Sequence, residues 1–346
     1  MKHLPTLRLA RIRGGSAHGF TLVELMVALA LTLLLVVVAA ACLQVARRGQ
    51  ASVDALSQLQ DNARFAADMA QRIAGQAGYL DADNAVETDT GNFMLAAANS
   101  APPFVEGYDD AIVPAGAAGA VTAVGANGSR SVGCTASAGS ACNNGSDILV
   151  LRSQANARWP GSTKTDGTML DCMGDSIDVV PADRTETSVS VLHLRVGNDG
   201  EPSLMCSVGT TKGTVTTLVG KTQPVVQGVE NFQVLYGVDG VLPNTRPTGP
   251  GDAVAERYLR ASQMVVPGDP EGTRLNWERV RALRIGMVLR GPPDSAQDRS
   301  ASITFFPLGE AMSATQDAGS RFVPTLDGRL RQTLTFTVHL HNRQQP

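Results

Sequence analysis

The sequence has few of the residues that carry out chemistry. Its five histidines are His3, His18, His193, His339 and His341, and it contains neither an H-E-x-x-H nor a G-x-S-x-G motif. No C-x-x-C pair occurs among the cysteines, which argues against a zinc site. His339 and His341 share a strand face at i,i+2 spacing, a pattern that a solvent-facing strand end explains without a metal. Val219-Gly220-Lys221-Thr222 resembles the end of a phosphate-binding loop, but Val215 stands where that loop needs Gly. Lys221 is therefore read as a turn residue. Asp81, Asp83 and Asn84 open like a calcium loop, but Ala85 and Val86 occupy places where a ligand and a Gly are required. The expectation is a protein without catalytic residues, metal or cofactor.

Aromatic side chains make up only 4% of the chain, against 35 Gly and 18 Pro, so many turns and much irregular structure are expected. Acids are missing from residues 1 to 19, which carry Lys2, Arg8, Arg11 and Arg13. Without these four cations, 25 basic side chains face 32 acidic ones. Such a balance makes nucleic acid an unfavourable partner, because sequence-independent binding depends on Lys and Arg neutralising phosphates.

What the chain does have is an uncharged run of 22 residues, Leu25 to Ala46, long enough to cross a bilayer as one helix. Four cations precede it and Arg47 and Arg48 follow, so the positive-inside bias places the N-terminus in the cytoplasm and the rest outside. Three processing routes compete. Ala39-Ala40-Ala41 offers a secretory cleavage site, and Cys42 after it a loose lipoprotein match, yet both must explain a long run with an acid near its start. The third route starts from Gly19-Phe20-Thr21-Leu22-Val23-Glu24-Leu25-Met26-Val27-Ala28. This stretch resembles the class III signal of type IV prepilins and pseudopilins. The resemblance implies cleavage between Gly19 and Phe20 by prepilin peptidase, N-methylation of Phe20, and an assembly role for Glu24. A carboxylate at a membrane helix centre costs about 2.5–3.5 kcal/mol on insertion scales, so Glu24 needs a partner. In the family that partner is the N-terminal amine of a neighbouring subunit.

Beyond the apolar run, Leu56, Leu59, Ala63, Ala66, Ala70, Ile73 and Ala77 recur at spacings of three and four, an amphipathic stripe. A helix from Phe20 to Ala74, on the order of 80 Å long, is predicted to end near Gly75 and Gly78. Residues 101 to 146 read as loops. Strands are predicted at Ile148 to Leu151, Val189 to Val196, Ser203 to Val208, Val215 to Val219, Val225 to Val238, within Trp277 to Arg290, and at Leu334 to Leu340, with a short helix from Ala253 to Ser262. This is an α+β plan, with an antiparallel sheet packed on the long helix. The divisions are a leader at 1–19, a helix at 20–78 that spans the membrane over about 20–46, and an extracytoplasmic domain at 79–346. Cys134, Cys142, Cys172 and Cys206 suit two disulfides; of three connectivities, Cys134–Cys142 with Cys172–Cys206 closes local loops.

Asp147 to Arg152, Gly228 to Asp239, Val280 to Ile285 and Phe336 to Arg343 look like segments of PilW-type minor pilins, with His341 where that family more usually has Arg. The resemblance implies a type IV pilin-like fold and a minor pilin that primes or caps the pilus for twitching motility and attachment. It implies other minor pilins, the major pilin, prepilin peptidase, the inner-membrane assembly platform and membrane lipid as partners, and passage from inner membrane to periplasm and pilus. A type II secretion minor pseudopilin, and a pilus-tip adhesin or DNA-uptake receptor, are the alternatives.

Overall fold

The computed structural model describes residues 19–81, 102–113, 118–120, 144–197, 200–296 and 302–343. It divides into two units, one ending at Ala51 and the other beginning at Ser52. Helix α1 (Leu22–Gln76) is unbroken. In the first unit its apolar side chains from Leu22 to Val45 are exposed. In the second unit α1 buries Ala55, Leu59, Ala63, Ala66, Ala70, Ile73 and Ala74. These positions recur at helical spacing and form one buried face. The predicted stripe is observed with one change: Ala55 takes the buried place and Leu56 remains 43% exposed. Gly78 ends the helical segment at φ 78°, a conformation that favours glycine, and its N–H donates to the Arg152 carbonyl.

Two antiparallel sheets form the second unit. The first contains β1 (Val105–Tyr108), β2 (Ala118–Ala120), β3 (Ile148–Ser153), β4 (Thr187–Val196), β5 (Pro202–Lys212) and β6 (Val215–Gln227), in spatial order β1-β3-β4-β5-β6-β2. The second contains β7 (Val229–Val238), β8 (Arg257–Leu259), β9 (Val280–Arg290) and β10 (Arg331–His339), in order β10-β9-β7-β8. Two short helices, α2 (Ala261–Met264) and α3 (Pro270–Glu278), lie between β8 and β9. Leu59, Ala66 and Ile73 of α1 share one apolar core with Leu192 and Leu204 of the first sheet and Phe232, Ile285 and Met287 of the second. Tyr236 and Trp277 meet edge to face, their ring centres 4.8 Å apart.

Several sequence expectations change here. Residues 105–108, placed among loops, form β1 and pair with β3. The run expected from Val225 belongs to β6 as far as Gln227 and turns at Gly228 before β7 begins. Lys221 lies inside β6, where Gly220 and Pro224 suggest a break; these residues are tolerated because β6 is largely exposed and its pairing with β5 slips twice. The helix expected over 253–262 reduces to α2, preceded by β8. Trp277 lies in α3, which is initiated by the Asp269 carboxylate accepting from Gly272 N–H at 2.8 Å with Pro270 in the first turn.

The Cys172 and Cys206 sulfurs are bonded, with Cα atoms 5.7 Å apart, joining the connection between β3 and β4 to β5. Cys134, Cys142, Asp83 and Asn84 lie outside the described residues. Asn342, beyond β10, donates its side-chain amide to the Gly75 and Ala77 carbonyls at 3.0 and 3.4 Å.

Candidate functional site

The N-terminal candidates occupy the first turn of α1. Thr21 is the residue before the helix, and its Oγ1 accepts from the Glu24 N–H at 3.2 Å. The Glu24 carboxylate accepts in return from the Thr21 N–H and hydroxyl, each at 3.1 Å. This is a reciprocal capping box: two backbone donors that the helix leaves open are satisfied by side chains three residues apart. The Thr-x-x-Glu spacing announces it, and Thr21 is the participating residue that the sequence reading missed. The box holds the Glu24 oxygens back toward Phe20, which is 88% exposed beside Gly19. The large side chains that follow, including Leu25, Leu29, Leu33, Val36 and Leu43, are all more than half exposed. Cys42 lies among them as an exposed free thiol.

In the second unit, the segments that prompted the family resemblance converge. Asp147, at the start of β3, accepts from Asp110 N–H at 3.1 Å and from Val234 N–H of β7 at 2.8 Å. Burial raises its pKa well above the carboxylate range, and the nearby Asp109 and Asp317 add to the rise. Arg152, at the other end of β3, pairs with Glu106 of β1 at 3.0 Å and donates to the Pro103 carbonyl at 2.7 Å. Asp239, after β7, accepts from Asp252 and Ala253 N–H groups and pairs with Arg281 of β9 at 3.3 Å. Each polar end of a motif strand therefore fixes a neighbouring loop or strand, which is structural work.

A larger ionic lattice joins the ends of β7, β9 and β10 to the turn before β5. Glu201 binds Arg290 at 2.9 Å and Arg329 at 2.8 Å. Glu230 binds Arg290 at 3.1 Å and Arg331 at 2.5 Å, and Arg331 also holds Asp327 at 2.8 Å. Three guanidinium groups balance three carboxylates. Burial raises the Glu201 pKa, but hydrogen bonds from Arg290 and Arg329 outweigh it and hold the carboxyl below the usual range.

His193 is buried on β4, with Nε2 2.9 Å from Ser207 Oγ, which is in turn 2.8 Å from Thr222 Oγ1: a polar ladder across three strands. Burial lowers its pKa to about 4, so the ring is neutral. His339 and His341 are exposed at the end of β10. Lys221 pairs with Asp175 at 3.6 Å on the surface. Among the described residues no group of three His, Cys, Asp or Glu side chains is placed to hold a metal ion.

Comparison with known proteins follows the same division. Residues 191–342 match the family described as type IV pilus-assembly protein W. Residues 15–40 match the prokaryotic N-terminal methylation motif. Among solved structures, a type IV-like pilin, TTHA1219 from Thermus thermophilus, is similar at 14% identity and a TM-score of 0.37, over 82% of this chain and 96% of that one. No curated protein matches by sequence.

Proposed function

From the matches of residues 191–342 to the type IV pilus-assembly protein W family and of residues 15–40 to the N-terminal methylation motif, together with the α+β architecture, we propose that this chain is a minor pilin that primes or caps type IV pilus assembly. The family is one of structural pilus components, and the polar groups of the second unit serve its architecture. In this reading prepilin peptidase cuts between Gly19 and Phe20, Phe20 is N-methylated, and residues 20–78 are retained as helix while 79–346 form the exported domain. The N-terminus faces the cytoplasm, residues 20–46 sit in the inner membrane, and the domain moves from periplasm to pilus. Other minor pilins, the major pilin and the inner-membrane platform are the partners.

The observation that carries the proposal is the Thr21–Glu24 box at the start of an exposed apolar helix. Within hydrocarbon an unpaired carboxylate is expensive. The box reduces that cost in the lone subunit by giving the oxygens two donors. After cleavage, the amine of a neighbouring subunit's Phe20 supplies an opposite charge, so Glu24 exchanges a capping contact for an ion pair during assembly.

Mass spectrometry of the mature chain tests the processing step: the expected terminus is methylated Phe20, and a terminus at Cys42 or an intact Met1 would overturn it. Deleting the gene tests the role. Loss of surface pili and twitching supports the pilus, whereas loss of exoenzyme secretion with pili intact assigns the chain to type II secretion.

A further inference from the structure

In the second unit, large apolar side chains left in water gather along one groove. Val53 is 65% exposed, Leu326 62% and Ile303 56%, and Leu56 lies beside them. With Phe305 and Leu330 they line a concavity of about 510 Å³ between the start of this unit's stretch of α1 and the chain joining β9 to β10. A concave surface lined mainly by apolar side chains is the usual form of a binding groove.

Hydrogen bonds hold the described walls of the groove. Ser295 is the hub: its carbonyl accepts from Ser52 Oγ of α1 at 2.7 Å, and its own hydroxyl accepts from Leu330 N–H at 2.9 Å and donates to Pro292 O at 2.7 Å. Ala296 N–H donates to Gly328 O at 3.0 Å, and Phe305 and Phe322 exchange backbone hydrogen bonds at 2.8 and 2.9 Å. A site already shaped in the lone chain costs little ordering when filled.

The chemistry of the rim selects the occupant. Asp327, Arg329 and Arg331 commit their charges to one another and to Glu201 and Glu230, leaving an apolar interior. A membrane surface would call for uncommitted cations or a Trp/Tyr belt, but among the described residues no Lys, Trp or Tyr lines the groove. Its concave form instead suits the ridge of a helix, read through apolar anchors at i, i+3, i+4 and i+7. The groove also starts at Ser52, six residues after the uncharged run ends at Ala46, a tether of at most about 20 Å in any conformation. An apolar helix inserted alongside this chain's own run therefore ends within reach of the groove.

We propose that this groove receives the uncharged N-terminal helix of a neighbouring pilin subunit. The inference rests on the pilin reading given above and names the surface through which the domain selects a neighbour. Ile303 and Leu326 grip the partner helix from the domain side, Val53 and Leu56 from α1.

The test uses the full chain in cells that make pili, with a benzophenone amino acid replacing Leu326 or Ile303, and Leu33 as the control position. After irradiation, the crosslinked peptide is expected to map to the apolar N-terminal helix of a second pilin. L326E, at an exposed position, is expected to lower surface pili about tenfold while the protein level and its protease resistance are unchanged. Crosslinks to lipid or to a globular domain, or no crosslink from the groove while Leu33 still captures another subunit's helix, overturn the groove proposal and leave the pilin reading intact. Loss of the Leu33 crosslink as well overturns both.

Discussion

The two duties of Glu24, capping its own helix and pairing with a neighbour, are separable by substitution. E24Q keeps an oxygen able to accept from Thr21 N–H but removes the charge; E24A removes both. If the ion pair drives assembly, both variants lower pilus recruitment about 10- to 100-fold, the range expected for loss of a charged hydrogen bond worth about 1.5–3 kcal/mol. If capping is the whole of its role, E24Q recruits normally and only E24A fails. Recovery of each variant in sheared pili, relative to its membrane level, separates the cases.

Two buried titratable groups act in opposite directions over the same pH range. Asp317 is pushed up to about 6 by burial, with the Arg260 guanidinium pulling down and Asp109 pushing up. The folded state thus holds its proton more tightly than the unfolded chain, whose Asp titrates near 3.8, and unfolding free energy falls as pH rises from about 4 to about 6. His193 is lowered from 6.5 to about 4 by burial. There the unfolded chain binds the proton first, and stability is lost as pH falls from about 6.5 to about 4. Denaturant melts at several pH values check both signs: D317N gains on the wild type as pH rises through this window, and H193Q gains as pH falls. A shift of one unit corresponds to about 1.4 kcal/mol, so each difference approaches about 3 kcal/mol at most.

At the scale of elements, the disulfide is the clearest lever. Cys172 and Cys206 are 34 residues apart, and closing a loop of that length stabilises by about 4 kcal/mol in the chain-entropy account. The double variant C172S/C206S in detergent is expected to unfold at lower denaturant by a comparable amount, and oxidised and reduced wild type to differ likewise. The elements themselves were unevenly legible. The stripe Leu59, Ala63, Ala66, Ala70, Ile73 is visible because helical spacing brings every member to one face. Leu56 misleads because Ala55, about 100° round the helix, packs inward and leaves the larger residue to the groove. α3 could have been read from Asp269-Pro270, a capping residue followed by a preferred first-turn Pro. β1 could not, since Val-Glu-Gly-Tyr becomes a strand only by pairing with β3. The candidate site divides in the same way. Thr21 and Glu24 cap each other across three residues and so can be read locally, whereas Ser295 and Ser52, or Arg331 and Glu230, meet across 243 and 101 residues.

At the scale of the whole molecule, the lattice of Arg290, Arg329 and Arg331 with Glu201, Glu230 and Asp327 holds segments from distant parts of the chain. R331M leaves Glu230, whose side chain is 6% exposed, with Arg290 alone, and a broken buried pair costs about 3–5 kcal/mol. Chemical unfolding is expected to show that loss. E230Q combined with R331M is expected to recover part of it, because the stranded carboxylate is then gone; no recovery would mean that Arg331 contributes by packing.

The Asn342 amide on the Gly75 and Ala77 carbonyls bears on timing. Those atoms are separated by 265 residues or more, so the end of α1 is held by a segment far along the chain. In a growing or threading chain, until β10 pairs with β9 and Asn342 arrives, β9 is an edge strand and the helix terminus lacks that amide. Such long-range closure predicts slow folding. It also makes β10 and Asn342 a latch, on which the end of α1 depends for that contact.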